Sequence, residues 1–522
     1  MLRKLSLLVM FLSLYAISSQ AADQPWGQWT LLTAPQGSGV QVGETVTFDG
    51  ENGAQFPGQG DGISVPLPEN GWHAKAFTIS CDVHTDPTVR DDFGTIVSLW
   101  NDKTRTGFHL SLRNNSGFTS SQANWRQLEF GLDAGTEPEW RDEGRPGHAV
   151  LGFALCAHAG ELYAATCEAG GTGQGHVYRY ESPNKWHDLG TLDGSNAVTA
   201  LAAYNGSLYA ATGKYRLGGS ALEESTNTQL GGRIYRLEAD QKWTLVAELP
   251  NTEAVAAMTE FDGRLYASSL YQPAGLFRLD ARGQWQKIET PDNKRVQAMR
   301  AHDGWLYLTS YDGGRIYRYD GDKWEDLGNL ADNTQTYSLC GYRGQLWVGT
   351  WPSGRVYQWQ SPQWLDRGRL GEELEVMAMG AYNGSLYAGS LPLAAVYRYD
   401  GDTTWTRLKQ LDTTPDVKYR RVWTMANFRG RAFYSTLPSG KIWSMSAGSC
   451  ATQDTELSPG WHHITAKCQS DRLELSVDGK VVATSTSPPV TLPILKSPLT
   501  LKIGDGRNGT FLGRIRHLTI AE

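Results

Sequence analysis

Residues 303–328 read DGWLYLTSYDGGRIYRYDGDKWEDLG, and this stretch decides the fold. It opens on a turn that ends at Gly304, and a Leu-Tyr pair follows at positions 306–307. A strand-like segment of alternating character occupies residues 316–319, and a single tryptophan, Trp324, comes last. Asp-Gly turns tolerate the positive φ that tight hairpins require. The stretch therefore predicts short antiparallel strands joined by tight turns.

The same pattern occurs seven times between Leu151 and Met445, at spacings of 40 to 57 residues. Its turn glycines are Gly160, Gly206, Gly263, Gly304, Gly344, Gly384 and Gly430. Six copies carry one tryptophan in the last strand of the repeat. Repeats of this length that consist of short strands are typical of a β-propeller, with one four-stranded blade per repeat. The sequence therefore predicts an all-β chain with a seven-bladed β-propeller.

The seventh copy lacks the strand that carries the tryptophan and stops near Met445. A segment with the missing pattern, Glu139 to Arg145, lies before the first copy. We predict that this segment pairs with the seventh copy and closes the ring, because closure removes an exposed sheet edge. The propeller is then expected to span residues 137–447.

The two ends of the chain predict a second, split domain. Four strand motifs occur in order near the C-terminus: Gly460 to Ile464, Leu473 to Gly479, Leu501 to Gly504 and Phe511 to Leu518. Together they resemble the second half of a laminin-G-like, concanavalin A-like jelly roll. Residues 22–136 contain alternating apolar and polar segments that suit the first half. The resemblance implies a β-sandwich of residues 22–136 and 448–522, with the loosely kelch-like propeller inserted between its halves.

Residues 1–21 have the pattern of a secretory signal peptide, with Arg3 and Lys4 ahead of an apolar stretch and small residues at its end. The apolar stretch is too short to span a membrane comfortably. We therefore expect an exported protein, secreted or periplasmic, without a transmembrane segment. The formal net charge is −7 and no basic tract is present, which argues against nucleic acid as a partner.

Six cysteines are present, and an exported chain permits disulfide bonds. We expect Cys468 to pair with Cys450 or with Cys81, and the remaining thiols to be buried and free. The chain has neither CxxC nor HExxH spacing, so the sequence predicts no zinc site and no cofactor. The jelly-roll resemblance leaves calcium open, although no motif supports it.

Two long loops of the propeller are predicted to lie on the same face, at the ends of the innermost strands. One loop, residues 213–232, contains Lys214, Tyr215 and Arg216. The other, residues 411–421, ends in Tyr419, Arg420 and Arg421. Long loops on a rigid scaffold usually carry function. Further candidates for this face are His148, Tyr271, Arg295, Tyr311, Asp312, Tyr337, Trp351, Glu375 and Trp423.

Aromatic plates beside arginine suit an acidic sugar, because rings stack on pyranose C–H surfaces and guanidinium groups pair with carboxylate or sulfate. We therefore predict an exported protein that recognises an acidic polysaccharide or glycoconjugate. One alternative is a polysaccharide lyase that uses His148, Tyr215 or Tyr419, and Arg216 or Arg421. A glycoside hydrolase is less favoured, since no facing pair of carboxylates is evident. The other alternative is a protein-interaction scaffold, and the sequence leaves the oligomeric state open.

Overall fold

The computed structural model of the chain describes residues 25–114 and 119–522. The signal peptide predicted for residues 1–21 lies outside these residues. The described part is built from 44 β-strands and two short 3₁₀ helices, Gly50–Asn52 and Leu217–Ser220. It contains no helix with the length and apolar character needed to cross a membrane. The chain is therefore all-β, as its repeat pattern predicts.

Ten strands precede the repeats in the middle of the chain: β1 (Pro25–Trp29), β2 (Gln41–Val42), β3 (Thr47–Phe48), β4 (Ala54–Pro57), β5 (Ile63–Pro66), β6 (Phe77–Thr85), β7 (Gly94–Asn101), β8 (Thr106–Arg113), β9 (Ser121–Gln122) and β10 (Gln127–Ala134). The middle of the chain forms β11 (Glu139–Asp142), β12 (Leu151–His158), β13 (Glu161–Cys167), β14 (His176–Ser182), β15 (Lys185–Thr191), β16 (Ala197–Tyr204), β17 (Ser207–Gly213), β18 (Arg233–Leu237), β19 (Trp243–Glu248), β20 (Val255–Phe261), β21 (Arg264–Ser269), β22 (Leu276–Leu279), β23 (Trp285–Ile288) and β24 (Met299–His302). It continues with β25 (Trp305–Ser310), β26 (Arg315–Tyr319), β27 (Trp324–Asn329), β28 (Gln335–Tyr342), β29 (Gln345–Trp351), β30 (Arg355–Gln360), β31 (Gln363–Arg369), β32 (Glu375–Tyr382), β33 (Ser385–Leu391), β34 (Ala395–Gly401), β35 (Thr404–Gln410), β36 (Arg421–Phe428), β37 (Arg431–Leu437) and β38 (Ile442–Ser446). The last strands are β39 (Ser449–Thr452), β40 (Gly460–Cys468), β41 (Leu473–Val477), β42 (Lys480–Thr484), β43 (Thr500–Ile503) and β44 (Leu512–Ala521).

The middle strands form a β-propeller ring of antiparallel sheets. Five of these sheets have four strands each: β20 to β23, β24 to β27, β28 to β31, β32 to β35, and the sheet β11-β38-β37-β36. Neighbouring sheets are joined by the tryptophan of the outer strand. Trp364 donates a hydrogen bond to the Leu327 carbonyl at 2.9 Å, and Trp405 donates one to the Arg367 carbonyl at 2.8 Å. The repeated tryptophan thus ties these two sheets to the sheets before them.

The first two repeats do not form separate sheets. Strands β12 to β15 and β16 to β19 belong to one nine-stranded sheet, together with β9. A single bridge between Cys167 and Ala197 joins the two repeats. The expected set of seven separate four-stranded sheets is therefore not found, and five are separate. The physical reason is that the ends of β13 and β16 come close enough near the ring centre to form one β-bridge.

The ring is closed by a strand from ahead of the repeats. Strand β11 pairs antiparallel with β38, with Trp140 opposite Met445. The ring of Trp140 lies 5.7 Å from that of Tyr434, measured between centroids. The tryptophan register in the sequence predicted this pairing, because the segment Glu139 to Arg145 supplies the strand that the last repeat lacks.

Two further sheets take strands from both ends of the chain. One has the order β3-β4-β44-β6-β40-β41-β42, with β1 added beside β44, and the other has the order β2-β5-β43-β7-β8-β10-β39. Both sheets contribute to one apolar core, which includes Ile79, Leu110, Ile464 and Ile515. We call this pair of sheets the sandwich. Strands distant in sequence are thus neighbours, since β6 pairs with both β40 and β44.

The sandwich covers one face of the ring, the face that carries the tight turns between the first two strands of each repeat. Strands β8, β10 and β39 are buried on both sides, because their second face packs against those turns. Arg113 donates a hydrogen bond to the Ala381 carbonyl at 2.6 Å, and Asn383 donates one to the Leu132 carbonyl at 3.1 Å. We call this side of the ring the covered face and the opposite side the open face.

A segment of the sandwich enters the centre of the ring. Strand β9 lies parallel to the innermost strand β16. Thr119 donates hydrogen bonds to the carbonyls of Met377 at 2.8 Å and Trp423 at 3.3 Å, and Thr259 donates one to the Gln122 side chain at 2.8 Å. Residues 119–125 are all buried. The central channel is therefore filled from the covered face.

The expected disulfide bonds are absent, since all six cysteines are free and buried. Cys81 faces Ile464 across the β6–β40 ladder, whereas Cys468 faces Phe77. The two cysteines are thus offset by four residues, about 13 Å along the strands, and a disulfide bond cannot span that distance. Cys450 lies in the other sheet, opposite Gly131. The prediction of a disulfide bond was wrong because sequence alone does not give strand register.

Candidate functional site

Aromatic side chains close the open end of the central channel. They belong to one apolar cluster that also contains Leu217 and Met377. The ring of Phe153 lies 5.1 Å from that of Tyr215 and 4.8 Å from that of Trp423, between centroids. The other aromatic members are Tyr271 and Tyr337, with Tyr311 and Trp351 partly exposed at the edge. We call this region the mouth.

The two long loops meet at the mouth. The loop of residues 213–232 folds inward, so that Tyr215 and the 3₁₀ turn at Ser220 are buried at the ring centre. Arg421, at the end of the other loop, donates a hydrogen bond from Nη1 to Ser220 Oγ at 2.9 Å. Ser220 Oγ also bonds the Tyr215 hydroxyl. Residues about 200 positions apart are thus joined in one hydrogen-bond chain.

Arg421 is held by a buried carboxylate. Its Nε lies 3.0 Å from Glu375 Oε1, and the side chains of Arg421 and Glu375 are 9% and 0% exposed. Burial opposes the charged form, but the carboxylate of Glu375 outweighs it and raises the pKa of Arg421. The guanidinium is therefore charged and fixed in position, and its donors are largely used within the protein.

Partly exposed rings form the rim of the mouth. The hydroxyls of Tyr311 and Tyr337 lie 3.0 Å apart, and the ring of Trp351 lies 6.3 Å from that of Tyr419 in an edge-on arrangement. Arg295 lies over the Tyr311 ring at 4.1 Å and forms two hydrogen bonds with Asp312. The rim therefore presents both aromatic surfaces and polar groups to the solvent.

Most of the basic side chains at the mouth have a carboxylate partner. Arg216 lies over the Tyr271 ring at 4.4 Å and pairs with Glu253 at 2.7 Å. Lys214 points away from the centre and pairs with Glu224 at 3.4 Å. Among the described residues, Lys418 and Arg420 have no carboxylate within ion-pair distance. Lys418 lies over Tyr419 at 4.8 Å, and Arg420 donates to the Thr414 carbonyl at 2.7 Å.

His148 does not reach the mouth. It is exposed, and its backbone oxygen accepts a hydrogen bond from Arg145 at 2.5 Å. The adjacent Gly147 lies against the hydroxyl of Tyr178, which belongs to β14, the third strand from the ring centre. The structure thus brings Tyr215, Arg421 and the aromatic candidates together but leaves His148 over the outer part of its sheet.

Two buried hydroxyls at the centre of the mouth, those of Tyr215 and Tyr337, are poorly suited to proton transfer. Burial raises the pKa of the Tyr215 hydroxyl above its ordinary value, and it raises that of Tyr337 as well. A general base needs a pKa near the working pH and access to the substrate proton. These two hydroxyls meet neither condition, so the arrangement suits ligand contact better than proton transfer.

Sequence reasoning did not identify three parts of the site. Ser220 connects the two loops, Glu253 neutralises Arg216, and Thr119 supports the strands beneath the cluster. Ser220 and Thr119 carry no distinctive sequence signal, because their roles arise from contacts between distant segments. Glu253 could have been noticed, since it precedes the innermost strand of its repeat, as Arg295 and Arg420 do in theirs.

One group with metal-ligand chemistry lies on the covered face. Asp91, Asp92 and His302 place ligand atoms within 4.8 Å of one another. Arg300 also pairs with Asp92. Burial lowers the pKa of His302, but the nearby carboxylates of Asp91 and Asp92 outweigh burial and raise that pKa to about 10. A protonated histidine and an arginine already neutralise these carboxylates. The group is therefore an ion network between the sandwich and the ring.

Comparisons with known proteins give similarity only among solved structures. No protein-family model and no curated protein matches the chain. A streptogramin B lyase structure is 13% identical with a TM-score of 0.48, over 59% of this chain and 98% of that one. A catalytically inactive virginiamycin B lyase from Staphylococcus aureus with quinupristin is 11% identical, with a TM-score of 0.47, over 59% and 99%. The extracellular domain of a putative one-component system from B. thetaiotaomicron is 13% identical, with a TM-score of 0.44, over 67% and 48%. Each TM-score is below 0.5, so these similarities carry no implication for the ligand of this chain.

Proposed function

We propose that the ring has seven blades and that it is inserted into a concanavalin A-like, laminin-G-like sandwich. Each of the seven repeats has an innermost strand paired with the next strand by a tight turn, and two repeats share the nine-stranded sheet through one bridge. The sandwich sheets combine strands from both chain ends. This supports a division into residues 22–136 and 448–522 for the host and 137–447 for the propeller.

We further propose that the protein is exported and recognises a glycan at the mouth. The observation that carries this proposal is a channel filled from the covered face whose open end displays the partly exposed rings of Tyr311, Trp351 and Tyr419. A ligand can therefore approach from one side only. Aromatic faces bind the C–H surfaces of a sugar, and fixed polar groups orient it.

An acidic glycan suits the charges at the rim. Lys418 and Arg420 have no carboxylate partner among the described residues, whereas Arg216, Arg295 and Arg421 each have one. Lys418 and Arg420 are therefore the rim cations that an anionic ligand can use, in a chain with a formal net charge of −7. The attraction of such cations for anions weakens as salt rises.

Recognition is better supported than turnover. A lyase needs an accessible base. His148 lies away from the mouth, and the Tyr215 hydroxyl is buried and bonded to Ser220, which leaves Tyr419 at the partly exposed rim as the candidate. Incubation of the protein with uronic-acid polysaccharides, followed by absorbance of an unsaturated product, separates the two functions. Product formation that depends on Tyr215, Tyr419 or Arg421 would replace the recognition proposal with the lyase.

Calorimetric titration with oligosaccharides of galacturonic acid tests the proposal at the level of residues. We expect Trp351→Ala and Tyr419→Ala to weaken binding about tenfold each, because each removes a stacking surface. The control is Trp461→Ala, a partly exposed tryptophan of the sandwich that lies beside Arg516 and His84. If all three variants bind as tightly as the unmodified protein, the ligand binds elsewhere. Tighter binding of neutral than of acidic oligosaccharides would refute the acidic preference.

A further inference from the structure

A second groove runs along the junction between the ring and the sandwich. Its main cavity has a volume of about 600 Å³ and lies between the β7–β8 turn of the sandwich and the ring strands around Tyr342 and Tyr399. Arg343 and Gln345 also line a neighbouring cavity of about 520 Å³, and Asp102 and Arg507 line another of about 310 Å³. We call this continuous groove the seam cleft. Three adjacent cavities that share lining residues suit an extended chain better than a small ion.

The main cavity of the seam cleft carries a surplus of positive charge. Six basic and three acidic side chains line its main cavity, in a chain with a formal net charge of −7. The basic residues come from distant parts of the sequence, since Lys103 and Arg105 precede the ring, Arg343, Arg367 and Arg398 belong to it, and Arg507 follows it. A concave site with a surplus of one sign of charge concentrates ligands of the opposite sign.

The arginines of the seam cleft are positioned but only partly neutralised. Arg343 and Arg507 both pair with the single carboxylate of Asp102. Arg367 donates to the Gln358 side chain at 2.6 Å and has no carboxylate partner among the described residues. Arg398 pairs with Asp400 at 2.6 Å. Arg507 and Arg398 are 7% and 5% exposed, and Arg507 Nε and Arg398 Nη1 have no hydrogen-bond partner in the described part. Buried donors without a partner are rare in folded proteins.

Aromatic rings support these guanidinium groups and border the groove. Arg343 lies over the Tyr342 ring at 5.4 Å, and Arg507 lies over the Trp100 ring at 5.2 Å. Tyr399 is partly exposed and packs edge-on against Trp347, with 5.0 Å between ring centroids. Stacked arginines keep their planes fixed, and a planar guanidinium matches carboxylate and sulfate oxygens.

We propose that the seam cleft binds a stretch of anionic polysaccharide, with its carboxylate or sulfate groups on Arg343 and Arg367 and a sugar face on Tyr399. This site is separate from the mouth and does not depend on it, because the two lie on opposite faces of the ring. A ligand in the cleft contacts the sandwich and the ring at once, through Asp102–Arg105 on one side and Arg343 on the other. Binding there would hold the two parts of the chain together.

Calorimetric titration of the full chain with a heparin-derived octasaccharide and with a galacturonic acid octamer, at low and high salt, tests the proposal. We expect Arg343→Gln and Arg367→Gln each to weaken binding of at least one probe about tenfold, since each removes a charge-assisted hydrogen bond. Arg355→Gln is the matched control. The Arg355 side chain is 40% exposed and pairs with one aspartate at 2.6 Å, as Arg343 is 40% exposed and pairs with one at 2.7 Å.

Several results would overturn the proposal. These are the absence of binding of either probe, affinities of both seam variants within twofold of the unmodified protein, or an equal loss in Arg355→Gln. Inorganic sulfate will also be added at a concentration equal to that of the sulfate groups on the oligosaccharide. If it displaces the oligosaccharide completely, the cleft is a simple anion site and does not recognise a polysaccharide. Loss of binding in Trp351→Ala instead would assign the ligand to the mouth, so failure of the seam proposal is distinguishable from failure of the mouth proposal.

Discussion

The covered face and the open face of the ring both bury arginine side chains, but they neutralise them differently. On the covered face, Arg113 pairs with Glu129 at 3.0 Å, both from the sandwich, and its other donor reaches the Ala381 carbonyl of the ring. On the open face, Arg421 pairs with Glu375 at 3.0 Å, and both residues begin innermost strands of the ring. Arg113 therefore also joins the sandwich to the ring, whereas the Arg421–Glu375 pair lies within the ring.

The covered face is therefore an interface between two parts of the molecule, whereas the open face carries the candidate ligand site. The covered face uses its polar groups between segments that are far apart in sequence, as when Trp125 donates to Glu260 at 3.0 Å. Few groups remain for a ligand there, except along the edge that forms the seam cleft. Within residues 25–114 and 119–522, no strand of the sandwich packs on the open face, and its rings at Tyr311, Trp351 and Tyr419 are partly exposed.

The largest expected effect follows from breaking the buried pair of the covered face. Arg113→Met leaves Glu129, whose side chain is 0% exposed, without its guanidinium. An uncompensated buried charge costs about 3–5 kcal/mol. We expect a loss of that size in the free energy of unfolding, measured by urea titration of tryptophan fluorescence. Arg315→Met, which removes an exposed pair with Asp326, should lose less than about 1 kcal/mol. Equal losses would mean that the covered face is not specially dependent on its ion pairs.

The ion network at Asp91, Asp92 and His302 makes the covered face sensitive to pH. Burial lowers the pKa of His302, but its carboxylate partners outweigh burial and raise it to about 10. Because the folded pKa exceeds the ordinary value of 6.5, the stabilisation is fully present below pH 6.5 and is lost as pH rises through 10. We expect the melting temperature to fall over this range, and to fall less in His302→Gln. Parallel profiles for the two proteins would show that His302 does not stabilise the contact.

The repeat pattern was sufficient to predict the ring and its closing strand, because turn glycines and tryptophans recur at fixed positions. It predicted less of the docking between ring and sandwich. Residues 119–125 carry mostly polar side chains, yet they are buried because the innermost strands offer backbone carbonyls at the ring centre. Arg343 and Arg507 meet at Asp102 only after docking. At the mouth, loop length predicted that Tyr215 and Arg421 would approach each other, whereas His148 was placed by chain order alone.

A smaller effect is expected from the segment that fills the channel. Thr119→Val removes the hydroxyl that donates to the carbonyls of Met377 and Trp423, and we expect a loss of about 1 kcal/mol in unfolding free energy. Ser120→Ala is the control at the adjacent position, because the buried Ser120 hydroxyl has no hydrogen-bond partner in the described part of the chain. It should be neutral or slightly stabilising. A larger loss in Ser120→Ala than in Thr119→Val would contradict the role given to Thr119.

The smallest effect concerns the thiols, which report how deeply water reaches from each face. Cys340 lies in β28 near the covered face, and Cys167 lies in the apolar cluster of the mouth. Burial raises the pKa of Cys340 to about 11 and raises that of Cys167 as well, so neither is a thiolate at neutral pH. We expect neither to react with a disulfide reagent in the folded protein, all six thiols to react after denaturation, and a reductant to leave the melting temperature unchanged. Reaction of Cys167 alone, blocked in Cys167→Ala, would mean that the mouth opens to its full depth while the covered face stays closed.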